Sequence, residues 1–101
     1  MPNRVMQIHR CASTVIDDVG TRWVPIALGM RRADETWIGW IEFHARDGDV
    51  RVTGRETTQS TLDALMYWAT GLEATFLEGA FSRSVLVSEA GYPPADERPA
   101  A

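Results

Sequence analysis

Three runs of alternating side chains, Arg22–Arg32, Thr36–Arg46 and Val50–Arg55, fill the middle of the chain and constrain its fold more than any other feature. Successive side chains of an extended strand point to opposite faces, so strict alternation means a pleated ribbon with one side on a core. In the first run Val24, Ile26, Leu28 and Met30 share one side, and Trp23, Pro25, Ala27 and Gly29 share the other. The second run sets Trp37, Gly39, Ile41, Phe43 and Ala45 against Ile38, Trp40, Glu42, His44 and Arg46. Only the former set is free of polar side chains, so it is expected to face the core. In the third run Val50 and Val52 are expected inward, with Arg51, Thr53 and Arg55 outward. The connections are short and polar. Ala33-Asp34-Glu35-Thr36 reads as a hairpin, and Asp47-Gly48-Asp49 as a tight turn whose glycine tolerates positive φ. The runs therefore predict an antiparallel meander whose greasy layer holds Val24 and Phe43 and whose reverse is wet. Pro25 lacks a backbone donor and marks its strand as an edge or a bulge.

The flanking segments are less regular. A further strand is expected over Val5–Cys11, Ala12–Asp18 is ambiguous, and Asp18-Val19-Gly20 supplies a turn. After the meander, Leu62, Leu65, Met66 and Ala69 recur at i, i+3, i+4, i+7 spacing, predicting an amphipathic helix to about Thr70. Ser60 is its expected N-cap, with Asp63 three residues on, and Gly71 its expected left-handed C-cap. Glu73–Leu77 reads as another strand. Ala80, Phe81, Ser84 and Val85 then return at helical spacing, predicting a second short helix to about Glu89. The expected fold is α+β: a three- to four-stranded, mainly antiparallel sheet with one amphipathic helix on one face, in the order β-β-β-β-α-β with a short C-terminal helix. The 101 residues leave room for one small domain, expected over residues 1–91, with a mobile tail at 92–101.

Composition excludes several classes. No apolar run approaches the roughly 18 residues of a membrane-spanning helix. Met1-Pro2-Asn3-Arg4 is not followed by the apolar core of a signal peptide, and one cysteine forms no internal disulfide; both predict a cytoplasmic protein. The net charge of −4 argues against a generic nucleic-acid binder. All ten basic residues are arginine, a product of codon bias or of selection for bidentate anion recognition. The middle third is the one part with a positive balance.

The outer face of the expected meander is the most informative surface. It gathers Trp40, Glu42 and His44 with Arg51, Thr53 and Arg55, and Trp23 and Arg31 join them in some registers. Such a face is read as a solvated sheet surface with cross-strand ion pairs, as a protein-protein contact, or as a platform for single-stranded nucleic acid. The polar stretch at the helix start, Arg55, Thr57, Thr58 and Ser60, is a second candidate, for a small anion, although capping alone demands those residue types. No Walker or dinucleotide fingerprint is present. His9, Cys11 and His44 are three soft ligands without a fourth, a poor zinc set, and Cys11 has no activating context as a nucleophile. No catalytic residue, metal or cofactor is therefore assigned. Tyr67 lies opposite the apolar helix stripe and is expected to be exposed.

Gly54-Arg55-Glu56-Thr57-Thr58-Gln59, Tyr67-Trp68-Ala69-Thr70-Gly71-Leu72-Glu73 and Leu77-Glu78-Gly79-Ala80 together resemble small bacterial proteins to which no activity is attached. The order of elements is similar to that of HicB-type antitoxins and of double-stranded-RNA-binding folds, at the level of topology alone, without their sequence signatures. The expected function is a small non-enzymatic protein-interaction or regulatory module, self-associating as a homodimer through its tryptophan-bearing face or binding another protein. The alternatives are a nucleic-acid module using Arg51, Arg55 and Trp40, and a small-anion site at the helix start.

Overall fold

The computed structural model describes residues 4–88 and 91–93. It is α+β, an open antiparallel sheet with two helices on one face. Its centre is a long hairpin of β3 (Arg22–Arg31) and β4 (Trp37–Ala45). On the outer side of β3 lie β1 (Met6–Arg10) and β2 (Val15–Ile16), two pieces of one interrupted strand. On the outer side of β4 lie β5 (Val50–Val52) and β6 (Thr57–Gln59), likewise interrupted. Helices α1 (Leu62–Thr70) and α2 (Ala74–Arg83) follow, and β7 (Val85–Leu86) pairs with β5.

The two expected turns form as read. Arg32 N–H and Thr36 C=O close the β3–β4 hairpin at 2.7 Å, and Gly48, at φ +98°, makes the β4–β5 turn. The expected faces hold for β4, whose Ile41 and Phe43 lie on the core side, and are reversed for β3 and β5. Val24 lies opposite His44, Pro25 opposite Phe43, and Phe43 opposite Arg51. The face under the helices therefore carries Trp23, Pro25, Ala27 and Gly29 with Ile41, Phe43 and Arg51, whereas Val24, Ile26, Leu28 and Met30 share the uncovered face with Trp40, Glu42 and His44. Both sides of β3 are apolar, so alternation fixed the pleat without saying which side the helices take. The helices take the side that carries the two strands' glycines, Gly29 and Gly39.

That choice has a steric reason. Gly29 and Gly39 are cross-strand partners, and together they make a dent in the sheet. A Cβ on Gly29 would stand 2.4 Å from a methyl of Leu65, and one on Gly39 would stand 2.8 Å from both Leu65 and Trp68. Leu65, wholly buried, fills the dent and sets α1 close against the strands. Further along, Phe81 of α2 meets Phe43 edge-on at 5.2 Å and Trp23 at 5.4 Å, within a core that also holds Cys11, Val15, Ile41 and Leu77. Burial pushes the pKa of the Cys11 thiol upward, which disfavours the thiolate. Asp17 accepts from Trp23 Nε1–H at 3.1 Å, and that bond first of all holds its carboxyl below the ordinary carboxylate value.

Two polar side chains also enter this layer. Arg51 is tolerated because its Nε and Nη2 donate to Ser84 Oγ and O and its guanidinium lies 5.2 Å over Phe81. The Glu56 side chain is wholly buried and accepts from Arg83 Nη2 at 2.5 Å, leaving its Oε2 without a partner among the described residues.

The helices depart from expectation in detail. Thr61, not Ser60, caps α1, its Oγ1 accepting from Ala64 N–H at 3.1 Å. Gly71 ends the helix at φ −93°, outside the left-handed region. Met66 is exposed while Leu65 and Ala69 are buried, so the apolar stripe is centred one position away. The expected strand Glu73–Leu77 is instead the start of α2, because Leu77, Ala80 and Phe81 form one helical face on the core. The expected second helix stops at Arg83, and Val85–Leu86 is a strand; its expected end, Glu89, lies outside the described residues, as does tail 94–101. No described helix is long and apolar enough to cross a membrane.

Candidate functional site

The seven residues expected on one interaction face do not share one. Trp23 and Arg51 lie under the helices, in register with Ala45 and Phe43 respectively. Arg31 is exposed at the hairpin and pairs with Glu35 at 2.8 Å. Arg55 is exposed in the bulge between β5 and β6, where Thr53 Oγ1 accepts from Ile41 N–H and donates to Gly54 C=O, so that Thr53 is buried rather than outward. Trp40, Glu42 and His44 do share the uncovered face. The physical reason is register: pairing Phe43 with Arg51 puts Arg51 on the opposite side from Trp40.

The expected anion site is also divided. Thr57–Gln59 forms β6 rather than an open loop, so Thr57 sits beside Gly39 on the helix side while Thr58, opposite Ile38, points the other way. Thr57 Oγ1 accepts from the Gln59 amide, and Ser60 caps nothing. His9 and Cys11 belong to the helix side, while His44 lies on the reverse of the sheet. Among the described residues no three His, Cys, Asp or Glu side chains stand together as metal ligands. Tyr67 is exposed, at 84% of its surface.

The uncovered face has two unlike ends. At one, Leu28, Trp40 and Val52 form a second small core, flanked by Ile26, Met30 and Ile38. It is roofed from within the chain: Val85 and Val87 pack on it, and Tyr92 Oη accepts from Trp40 Nε1–H at 3.4 Å. Trp40 is consequently only 6% exposed, and its burial calls for no partner. Tyr92, expected at the head of a tail, donates in turn to Glu42 Oε2, whose Oε1 meets His44 Nε2 at 2.8 Å. Glu42 is thus occupied on both oxygens.

At the other end the face is open and basic. Arg10, Arg22 and Arg46 come from three adjacent chain segments around a cleft of about 680 Å³, floored by Val24 and Ile26 and flanked by His44. Such a volume lies within the range of small-ligand sites. Strand pairing explains the grouping. Arg10 is registered opposite Ile26, and Arg22 and Arg46 each stand one residue beyond the registered pair Trp23↔Ala45. Arg22 Nη1 donates to Thr14 Oγ1 at 3.0 Å, which orients it. Arg10 and Arg46 have no ion-pair or hydrogen-bond partner among the described residues. The one acid of the lining, Asp47, spends its Oδ1 on Asp49 N–H at 2.9 Å. Like charges gathered across strands repel one another modestly at an exposed end, and a bound anion would relieve that repulsion.

These arginines were missed at the sequence level because they stand at the ends of the alternating runs, where register alone tells which face they join. The signal was present in Arg22, whose parity matches Val24, whereas Arg46 stands in the turn after β4, where parity no longer applies. No protein-family model, no curated protein and no solved structure matches the chain.

Proposed function

We propose that this protein is a non-catalytic binding module that holds an anionic partner on the uncovered face of its sheet, at the arginine end. The observation that carries the reading is the grouping of Arg10, Arg22 and Arg46 around one cleft, in a chain whose net charge is −4. A cluster of that sign opposes the overall charge and the cross-strand preference for unlike neighbours, and arginine forks match the geometry of carboxylate and phosphate oxygens. Against a nucleic-acid reading stands the same net charge, which repels a long polyanion beyond the cleft. Arg51 and Trp40, on which that reading was to rest, lie on opposite faces of the sheet.

Isothermal titration with pyrophosphate tests the proposal. The protein should bind it with a salt-dependent affinity, and Arg46→Gln should weaken binding about tenfold, as loss of a hydrogen bond to a charged group does. Binding unaffected by Arg46→Gln would refute the site.

A further inference from the structure

The order of side chains along the cleft says more about its occupant than its charge does, provided that the cleft is the anion site proposed for it. On the uncovered side of β3 the sequence runs Arg22, Val24, Ile26, and Arg10 of β1 is registered beside Ile26. Arg46, in the turn that follows β4, lines the cleft at the Arg22 end, next to the registered pair Trp23↔Ala45. The cleft is thus cationic, then apolar, then cationic, with Asp47 the one acid of its lining. Four residues of strand separate its two poles, about 13 Å between backbones at a rise of some 3.3 Å per residue, a span that two long side chains shorten by leaning inward. A single oxyanion would satisfy one pole and leave Val24 and Ile26 uncovered. A long polyanion would satisfy both but lay charge on the apolar floor.

The geometry points to a small elongated dianion, with a carboxylate or phosphate at each end and an apolar spacer between, as the ligand of this cleft. One end is held by Arg22 and Arg46, with Thr14 keeping Arg22 in place, and the other by Arg10. The spacer lies on Val24 and Ile26. His44 borders the middle, but its Nε2 is already engaged by Glu42, so no charge is needed there.

Titration with a homologous series of linear α,ω-dicarboxylates, from malonate through adipate to sebacate, reads the spacing directly. Affinity should rise to a maximum at an intermediate length and fall on either side. At that length Arg10→Gln and Arg46→Gln should each cost about tenfold, and Arg10→Gln, which empties its pole, should bring the diacid to the affinity of the monoacid of equal chain length. Ile26→Ser should weaken the optimal diacid while leaving pyrophosphate unchanged. Affinity independent of length, or a monoacid that binds as well as its diacid, overturns the dianion. If pyrophosphate binding still depends on Arg46 in that case, the site stands and only its ligand class falls. If no anion binds in an Arg46-dependent way, both fall. Tighter binding of polyglutamate or of a single-stranded oligonucleotide than of any diacid would likewise overturn the small-dianion proposal, in favour of a macromolecular partner.

Discussion

The two faces of one sheet are built from the same kinds of residue and arrive at opposite ends. Each carries tryptophan, aliphatic side chains and arginine. Under the helices Arg51 is answered by Ser84 and Phe81 and Arg83 by Glu56, although Arg83 Nε and Glu56 Oε2 keep no partner among the described residues. On the uncovered face Arg10 and Arg46 are answered by nothing among the described residues. Burial enforces the difference, since an unpaired guanidinium or carboxylate in the core costs several kcal/mol, whereas an exposed one costs little. Unneutralised charge therefore accumulates where function can use it.

The largest effect that breaks this comparison is expected at Arg83→Met. It strands the wholly buried Glu56 carboxylate, and urea denaturation should show a loss of about 3 kcal/mol, since removing one partner of a buried pair is far worse than never having had it. Next is the glycine dent. Gly29→Ala should cost about 2 kcal/mol by overpacking against Leu65, and markedly less in a Leu65→Ala background, where the methyl it strikes is gone. Equal costs in the two backgrounds would mean the helix does not sit where Leu65 puts it. On the uncovered face effects shrink. Tyr92→Phe should lose about 1 kcal/mol through its bonds with Trp40 and Glu42, with a red shift and easier quenching of Trp40 fluorescence. At the arginine end the sign should reverse. Arg46→Gln, without ligand, should raise stability by about 0.3 kcal/mol at low salt, and the gain should vanish at high salt as the repulsion is screened.

The sequence reading and these faces part company at identifiable residues. The strand positions in β3 and β4, both turns and the α1 helix were legible, because alternation, Gly48 and the Leu62–Ala69 spacing are local signals. Which face of β3 the helices cover was not, since β3 is apolar on both sides and the deciding feature, two glycines in register, exists only once β3 and β4 are paired, whereas the core face of β4 was read correctly. Arg51 misled for a related reason: a charged residue reads as outward, and its partner Ser84 lies 33 residues away. Glu73–Leu77 was read as a strand because five residues are too few to separate the two periods. The arginine cleft shares the non-local character of the glycine dent, with members from three segments whose convergence no spacing announces.

The functional reading turns on the open basic end of the uncovered face being where an anion lands. Backbone amide chemical shifts followed through a pyrophosphate titration test it directly. Perturbations should concentrate at Arg10, Arg22, Val24, Ile26, His44 and Arg46, with residues 57–64 at the start of α1 unmoved. Shifts centred on Thr57–Thr61, or spread evenly over the chain, would contradict it.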